Sequence, residues 1–325
     1  MKLSQPSLCV GICGVGQMGT GLVTCFKRAG YRVLAWDHDQ EKLSTLEQRV
    51  GELESWLDQQ IGPSSQEGGR IQAQGSPSSL DEEVDVIIEC IAEDLADKAN
   101  LLRQFTLSSE RGAIFLTTTS GLSITELGRR SGCSRLLVGA HFWNPPHLMP
   151  LVEVIRGQDT PVEVIDQVCL LTESIGKLPV RVAQDVPGFI GNRLVHALWR
   201  EAIHIVETGI ATPEEVDLVA KLTLGLRLSA MGPLENMDLV GLDLVEKIHR
   251  YLLADLAGNT SPSKYIRSSV KEGRLGVKSG QGFYDWGSRS AADLTQKRDL
   301  HIIKQINLMK KLQMSNLGST RGSES

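Results

Sequence analysis

The fold of this chain is decided near its N-terminus by the stretch Leu8-Cys-Val-Gly-Ile-Cys-Gly-Val-Gly-Gln-Met-Gly19. Its apolar part predicts a buried strand, which leads through a glycine-rich turn into a segment of helical pattern that ends at Gly30. In such a turn the first glycine permits the tight bend, the second lets the backbone approach a pyrophosphate, and the third lets the helix pack on the strand. Strand, turn and helix in this order predict a dinucleotide-binding fold, with the helix N-terminus facing the phosphates. The residues that we expect to contact the cofactor here are Gly14, Gly16, Gln17, Met18 and Gly19.

The identity of the dinucleotide is indicated by the end of the second predicted strand. The apolar run from Tyr31 to Trp36 delivers Asp37, and a carboxylate about twenty residues past the glycines can accept hydrogen bonds from the adenosine ribose diol and repels a 2′-phosphate. Asp37 therefore favours NAD, while Arg32 and His38 beside it keep NADP as the alternative.

Strand and helix patterns alternate along the first half of the chain. This alternation predicts an α/β domain with a doubly wound, Rossmann-type sheet. After Pro187-Gly188 only helical periodicity follows. We therefore predict a dinucleotide-binding domain at 1–186 and an all-α domain at 187–315, followed by a tail at 316–325 whose composition predicts disorder. The segments read as strands are 84–91, 113–120, 136–141, 151–155 and 178–182.

Four segments carry simpler predictions. An amphipathic helix over 40–60 is expected to cover one face of the sheet, and 61–79, rich in Gly, Ser, Pro and Gln, is expected to be a loop. One helix is predicted from Gly232 through Ala254. The glycine-rich stretch from Gly276 to Tyr284 predicts a structural turn, with a phosphate cradle as the alternative.

The stretch Ala140-His-Phe-Trp-Asn-Pro-Pro-His-Leu-Met-Pro-Leu-Val-Glu-Val-Ile155 holds the main catalytic candidates. A straight strand would keep His141 and Glu153 about 40 Å apart, but Pro145-Pro146 favours a turn. A reversal there lets His141 donate one ring N–H to Glu153 and use its other nitrogen as a general base on a substrate hydroxyl. Taken alone, this pair has a simpler interpretation, a surface histidine and an edge-strand acid.

Further candidates follow the ends of two predicted strands. Glu93 and Lys98 come after the strand at 84–91, where the carboxyl end of a parallel strand is expected to meet a ligand. Glu93 can also be read as an ordinary acid at a helix N-terminus. Ser120 is the last residue of the predicted strand at 113–120 and precedes a helix that Ser123 is expected to cap, so it is free to point into a cleft.

Composition excludes several classes of protein. With 325 residues, 41% of them hydrophobic, and a formal charge of −5, the chain lacks the concentrated positive charge of a nucleic-acid-binding protein. No apolar run is long enough to span a membrane, and the first one is unlike a signal peptide. The six cysteines show no metal-binding spacing, so we expect no metal site and a reducing, cytoplasmic compartment.

Several separated blocks occur together in one order, and on them the chain resembles the NAD-dependent L-3-hydroxyacyl-CoA dehydrogenases from Leu8 to Trp286. The resemblance implies that His141 takes the proton of a 3-hydroxyl, that Glu153 is its partner acid, and that Ser120 and Asn192 lie beside the substrate. The blocks are Gly14-x-Gly-x-x-Gly19 with Asp37, Glu93 with Lys98, Thr119-Ser120, His141-Phe-Trp-Asn-Pro-Pro with Leu151-Val-Glu-Val, Asp185-x-Pro-Gly-Phe-x-x-Asn-Arg193, and Leu275-Gly-x-Lys-x-Gly-x-Gly-Phe-Tyr284.

The same resemblance implies contacts with the cofactor and with a second subunit. Glu93 and Lys98 match positions that contact the nicotinamide ribose, and the family forms dimers through its helical domain. The implied partners are a small-molecule substrate and a second copy of the chain.

The substrate prediction stays divided. The leading hypothesis is NAD-dependent oxidation of a short-chain 3-hydroxyacyl-CoA. Its rival is a small hydroxy acid or aromatic alcohol without CoA, because the acidic stretch from Glu41 to Gln60 stands where CoA-binding relatives carry lysines. A third hypothesis, a non-catalytic NAD-binding protein, predicts loss of at least one of His141, Glu153, Ser120 and Asn192, and all four are present.

Overall fold

The computed structural model describes residues 8–64, 66 and 68–311 of the chain, and the predicted tail at 316–325 lies outside them. The chain divides into two compact units. We call the residues up to Arg193 the first unit and Leu194–Met309 the second unit.

The first unit is built on one eight-stranded sheet with the strand order β3-β2-β1-β4-β5-β6-β7-β8. All neighbouring strands are parallel except β6 and β7, which are antiparallel. The predicted α/β, doubly wound class is therefore confirmed. The strands are β1 Cys9–Cys13, β2 Arg32–Trp36, β3 Arg70–Ala73, β4 Val86–Glu89, β5 Ile114–Thr117, β6 Leu137–Phe142, β7 Leu151–Arg156 and β8 Leu178–Val182.

Both faces of this sheet are covered by apolar side chains. On β4, Val86 and Ile88 belong to one buried cluster while Ile87 belongs to another. Because successive strand residues point to opposite faces, the two clusters are the two sides of the sheet, as expected for parallel strands that are buried on both faces.

Helices connect the strands of the first unit, and short polar side chains cap several of them. Asp39, Ser76, Asp94 and Ser123 each accept a backbone N–H of the helix that follows. The helices are α1 Gln17–Arg28, α2 Gln40–Ser44, α3 Leu46–Ile61, α4 Pro77–Asp81, α5 Leu95–Leu102, α6 Thr106–Glu110, α7 Ile124–Ser131 and α8 Val162–Ser174.

Two local predictions in this unit were wrong. The single helix expected over 40–60 is divided at Thr45 into α2 and α3. The expected loop over 61–79 contains β3 and α4. β3 is an edge strand, mostly exposed, and its backbone pairing with β2 needs no apolar pattern.

The predicted reversal at Pro145-Pro146 is present. β6 and β7 are antiparallel, and their register places His141 directly opposite Glu153. The peptide bond between Asn144 and Pro145 is cis. The turn therefore brings together two side chains that are distant in an extended chain.

The second unit is helical. Its first helix, α9, starts at Gly191 and therefore includes the last three residues of the first unit. The helix predicted from Gly232 through Ala254 is broken at Gly241, whose φ of +98° lies outside the helical range. The glycine-rich stretch after Gly276 forms a turn closed by hydrogen bonds within itself, such as that from Gly276 N to Gln281 O. The helices are α9 Gly191–Glu207, α10 Pro213–Val219, a π-helix Ala220–Gly225, α11 Leu226–Leu228, α12 Pro233–Val240, α13 Leu242–Leu252, α14 Lys264–Lys271, a 3₁₀ turn Val277–Ser279 and α15 Ala291–Lys311.

Apolar side chains of the second unit are widely exposed. Among its residues, all of which the structure describes, only Ala257, Ser269 and Ile303 are buried, whereas Leu234 is 72% and Leu239 75% exposed. Exposed apolar surface on this scale is typical of a surface that binds another protein. In the part of the chain that the structure describes, no helix has the length and apolar character required to cross a membrane.

Candidate active site

A histidine and a carboxylate form a buried pair between β6 and β7. Nδ1 of His141 lies 2.7 Å from Oε2 of Glu153, and both residues are almost completely buried. Because an ionised carboxylate only accepts hydrogen bonds, His141 donates from Nδ1. Its other ring nitrogen, Nε2, is then the atom that can accept a proton.

The second oxygen of Glu153 is held by the backbone at the start of α9. Oε1 accepts hydrogen bonds from the N–H groups of Ile190 and Gly191, at 2.8 and 3.0 Å. Burial by itself raises the pKa of Glu153, but the hydrogen bonds from His141, Gly191 and Ile190 outweigh it, and the pKa lies below its ordinary value. Glu153 is therefore fixed in place as a carboxylate and can orient the imidazole.

These backbone donors depend on an unusual turn just before α9. Gly188 has a φ of +78°, and Phe189 has a φ of +50° although it carries a side chain. Such a conformation costs about 1–3 kcal/mol and persists only where the surroundings impose it. Here Phe189 is buried, and its ring centroid lies 5.7 Å from that of His141.

An aromatic side chain also packs against the imidazole and against Gly191. The ring centroids of His141 and Trp143 are 5.1 Å apart. A Cβ added at Gly191 would lie 2.1 Å from Cζ2 of Trp143, so only glycine allows this approach. Trp143 therefore links the orientation of the imidazole to the start of α9.

Ser120 and Asn192 are in contact with each other. Nδ2 of Asn192 donates to the carbonyl oxygen of Ser120 at 2.8 Å, and the N–H of Ser120 donates to Oε1 of Glu93 at 2.9 Å. Asn192 directly follows Gly191, which is bound to Glu153. The carboxylate that orients His141 thus also anchors the helical turn that carries Asn192.

Lys98 does not lie at the surface. It is 1% exposed, and its Nζ lies 2.7 Å from Oε1 of Glu89 and 3.4 Å from Oε2 of Glu93. Glu89, which sequence reasoning missed, is the last residue of β4 and is completely buried. Burial raises the pKa of Glu89, and this effect exceeds the opposing influence of Lys98 and the hydrogen bond from Thr117.

The glycine-rich turn has the geometry that a pyrophosphate requires. Gly14 has a φ of +94°, and a Cβ on Gly19 would lie 1.8 Å from the carbonyl oxygen of Gly14. A Cβ on Gly16 would meet nothing within 4 Å, so this glycine faces open space at the N-terminus of α1. Because Gly16 has no side chain, α1 begins without a side-chain cap, which suits an anionic ligand. Gln17 and Met18 form the first turn of this helix.

Asp37 lies next to this turn. Its Oδ2 accepts the N–H of Val15 at 2.7 Å and its Oδ1 accepts the N–H of Asp39 at 2.9 Å. Oδ1 also lies 3.1 Å from Nδ1 of His38, whereas Oδ2 keeps a further lone pair for a ribose hydroxyl. Asp37 therefore ties the end of β2 to the glycine-rich turn.

Two family models match the chain in succession. The model for the NAD-binding domain of 3-hydroxyacyl-CoA dehydrogenase matches residues 9–186, and the model for the C-terminal domain of the same enzymes matches residues 188–286. The chain belongs to the 3-hydroxyacyl-CoA dehydrogenase family.

Relatives of this chain have several different substrates in their names. A 5-formyl-3-hydroxy-2-methylpyridine 4-carboxylate 5-dehydrogenase of Mesorhizobium japonicum is 30% identical, over 89% of this chain and 94% of its own. An L-carnitine dehydrogenase of Nocardiopsis dassonvillei is 32% identical, over 97% of this chain and 95% of its own. A probable 3-hydroxybutyryl-CoA dehydrogenase of Bacillus subtilis is 34% identical, over 86% of this chain and 98% of its own.

Solved structures show the same range. The crystal structure of an NAD⁺-dependent 5-formyl-3-hydroxy-2-methylpyridine 4-carboxylic acid 5-dehydrogenase superposes with a TM-score of 0.86 at 29% identity, over 93% of this chain and 98% of its own. That of a (S)-3-hydroxybutyryl-CoA dehydrogenase from Ralstonia eutropha gives 0.69 at 29% identity, over 86% of this chain and 99% of its own.

The cofactor of this family member is NAD, as the sequence predicted. The NAD-binding family model covers the whole sheet, and the open space at Gly16, the uncapped start of α1 and the carboxylate of Asp37 fit a dinucleotide without a 2′-phosphate.

Sequence reasoning missed some of the polar groups around the candidate residues. The N–H groups of Ile190 and Gly191 carry no sequence signal, because backbone amides are common to nearly all residues. Glu89 lies inside an apolar run that predicts a strand, and its acidic character within that run was a signal that could have been followed.

Proposed function

We propose that the protein oxidises the secondary alcohol of a small hydroxy acid, with His141 as general base oriented by Glu153. The observation that carries the proposal is the buried contact of His141 Nδ1 with Glu153, whose other oxygen binds two backbone N–H groups. NAD, when bound, supplies the acceptor for the hydride that leaves the alcohol carbon. The hydroxyl proton goes to Nε2 of His141, and the substrate becomes a ketone.

The other candidate residues position the substrate in this proposal. Asn192 has an amide and Ser120 a hydroxyl that can form hydrogen bonds with a substrate. The hydrogen bond from Nδ2 of Asn192 to the carbonyl oxygen of Ser120 keeps the two residues next to each other. Donors fixed before the reaction stabilise negative charge on the substrate oxygen more effectively than mobile ones. In the reducing direction His141 begins protonated and returns its proton to the ketone.

The charges around the dinucleotide-binding turn favour a substrate without CoA. Residues 41–60 contain five carboxylates and two cations. Both cations are engaged: Lys42 lies 3.1 Å from Asp39, and Arg49 donates to the carbonyl oxygens of Val15 and Lys42. Glu54 and Asp58 are paired with Lys27 and Arg28. The other three carboxylates form no salt bridge among the described residues, and their negative charge repels the phosphates of CoA; they are Glu41, Glu47 and Glu52. The CoA-free alcohol, the second of the two substrates predicted from the sequence, is therefore the one that the structure-based charges favour.

The relatives support the same preference. Two relatives, matched over 89% and 97% of this chain, are named for a pyridine carboxylate and for L-carnitine, neither of which contains CoA. The second candidate function, oxidation of a 3-hydroxyacyl-CoA, is favoured by the description of the family models and by the 34% identical relative.

Parallel assays with CoA-free and CoA-bound alcohols test this proposal. We expect kcat/KM for at least one of the secondary alcohols L-3-hydroxybutyrate and L-carnitine to exceed that for L-3-hydroxybutyryl-CoA by about tenfold or more. NADH absorbance is the measurement. A higher kcat/KM for the thioester would establish the second candidate instead, and no turnover of any of these compounds would contradict both.

A charge-reversed variant shows whether the acidic surface excludes CoA. Glu47 and Glu52 are exposed on α3, and the double substitution Glu47→Lys/Glu52→Lys is expected to raise kcat/KM for the thioester about fivefold at low salt and less at high salt. The CoA-free substrates serve as the internal control. An equal change for both substrate classes would mean that the surface charge does not select the substrate.

We also propose that the protein forms a homodimer through the second unit. The support is the exposed apolar surface of α12 and α13, including Leu234, Leu239 and Leu242. Leu234→Glu/Leu239→Glu is expected to convert the dimer to a monomer in analytical ultracentrifugation. The matched control is Leu107→Glu, at a 46% exposed leucine of the first unit. A monomeric wild type, or a dimer that survives the double substitution, would contradict this assignment.

A further inference from the structure

The carboxylate of Glu89 is fully buried and has no part in the proton transfer. Its Oε1 accepts from Nζ of Lys98 at 2.7 Å and from the N–H of Ile91 at 2.7 Å. Its Oε2 accepts from Oγ1 of Thr117 at 2.7 Å. A charged group this deep in a protein is costly unless it is paired and hydrogen-bonded, and Glu89 is both.

Lys98 connects this buried carboxylate to one near the surface. Its ammonium group donates to Glu89 and to the carbonyl oxygen of Ile91, and it also lies 3.4 Å from Oε2 of Glu93, whose side chain is 45% exposed. One cation is thus shared by two carboxylates. Glu89 makes the shorter contact, so it fixes where the ammonium group sits.

Glu93 in turn holds the loop that follows β5. Its Oε1 accepts hydrogen bonds from Oγ1 of Thr119, at 2.5 Å, and from the N–H of Ser120, at 2.9 Å. The carbonyl oxygen of Ser120 accepts from Asn192. The contacts therefore run without a gap from the sheet core to two candidate substrate-binding residues.

This row of contacts lies beside the dinucleotide-binding turn. Glu89 pairs in register with Cys13, which directly precedes Gly14, and the N–H of Cys90 donates to the carbonyl oxygen of Cys13 at 2.7 Å. Glu93 and Ser120 thus follow the carboxyl ends of β4 and β5, on the edge at which α/β sheets bind their ligands.

We propose that Glu89 is a positioning residue for NAD binding, acting through Lys98 on Glu93. The negative charge of Glu89 keeps the ammonium group of Lys98 in the core, and Glu93 then turns one oxygen to Lys98 and the other to Thr119 and Ser120. Without that charge, Lys98 is no longer held beside Glu93, and Glu93 loses the cation that fixes one of its oxygens while the other binds the Ser120 loop. The expected effect on Ser120 and Asn192 rests on the proposed function, whereas the expected effect on NAD binding does not.

The substitution Glu89→Gln tests this role with nearly unchanged shape. We expect the Kd for NAD, measured by calorimetry without substrate, to rise about tenfold, and kcat to fall about tenfold. In a Glu93→Gln background the same substitution is expected to change the Kd less than about twofold, because the path through Glu93 is already broken. An equal rise in both backgrounds would show that Glu89 does not act through Glu93, and the proposal would be overturned.

Asp81→Asn provides a matched structural control. Asp81 is also buried, and its carboxylate accepts the N–H groups of Leu107 and Ser108 at 3.0 and 2.7 Å. We expect this variant to lower the Tm by an amount comparable to Glu89→Gln while leaving the Kd for NAD unchanged. A similar loss of NAD binding in Asp81→Asn would attribute the effect of Glu89→Gln to general destabilisation and overturn the proposal.

A second variant keeps the proposal testable where Glu89→Gln does not fold. Glu89→Gln/Lys98→Met removes both buried charges, so neither partner is left uncompensated, yet Glu93 loses its cation. The expected result is again a Kd for NAD raised about tenfold, and a wild-type Kd would overturn the proposal. Since NAD binding is measured without substrate, this outcome is independent of the turnover assays that judge the proposed function.

Discussion

The substitution His141→Gln is expected to lower kcat by about two to four orders of magnitude while the Kd for NAD changes less than about twofold. A glutamine amide can occupy the same space beside Glu153, but it cannot take up the hydroxyl proton as the hydride leaves. His141 lies on the strand β6 and no hydrogen bond joins its side chain to the described residues of the glycine-rich turn, so the dinucleotide-binding end is expected to stay intact. Steady-state NADH formation and NAD calorimetry measure the two quantities.

A second histidine in the same hairpin gives the matched control. His147 follows Pro145-Pro146 and packs edge-on to Trp56, with ring centroids 6.2 Å apart. His147→Gln is expected to leave kcat within about threefold of wild type. Loss of NAD binding in His141→Gln would indicate a folding defect, and retention of more than about a tenth of the wild-type kcat would show that His141 is not the base.

The fold could be predicted from the sequence wherever a pattern was strong and local. The apolar runs and glycines around Gly14 led to the parallel sheet, and Pro145-Pro146 led to the antiparallel pair β6 and β7 with His141 opposite Glu153. The sequence of β3 contains no strand pattern, because this strand is formed by backbone pairing with β2. At Gly241 the pattern was misleading, since one residue with positive φ divides a continuous helical pattern.

The candidate site could be predicted less completely, because its supporting groups depend on tertiary structure. His141 and Glu153 could be paired from spacing and turn chemistry, but the roles of Ser120 and Asn192 came from resemblance. The N–H groups that hold Glu153 depend on the positive φ of Phe189, and the presence of a phenylalanine does not predict a positive φ. The burial of Lys98 depends on Glu89, nine residues away along the chain at the end of the preceding strand.

The carboxylate of Glu153 contacts two different elements of the fold. One oxygen orients the imidazole on β6, and the other holds the first residues of α9. A change at Glu153 is therefore expected to disturb both the base and Asn192, whereas a change at His141 removes only the base.

The substitution Glu153→Gln is accordingly expected to lower kcat by about three orders of magnitude. The N–H groups of Ile190 and Gly191 require an acceptor, so the amide oxygen of the introduced side chain faces them and its NH₂ group faces Nδ1 of His141. Nδ1 must then accept, the ring proton moves to Nε2, and the imidazole can no longer take the hydroxyl proton. The Kd for NAD is expected to stay near the wild-type value, and a kcat within about tenfold of wild type would contradict the orienting role.

The pH dependence of stability provides an independent check on the same residue. Because the pKa of Glu153 is lowered in the folded protein, its carboxylate stabilises the fold above its ordinary pKa, and this contribution is lost as the pH falls through the lowered value. The difference in the free energy of unfolding between wild type and Glu153→Gln is thus expected to be constant near neutral pH and to shrink below about pH 4. Urea unfolding of both proteins across this range measures the difference, with Glu163→Gln, at an exposed acid in the first turn of α8, as the control. A difference that stays the same down to the lowest pH would mean that Glu153 is not held as a carboxylate by His141 and the two backbone N–H groups.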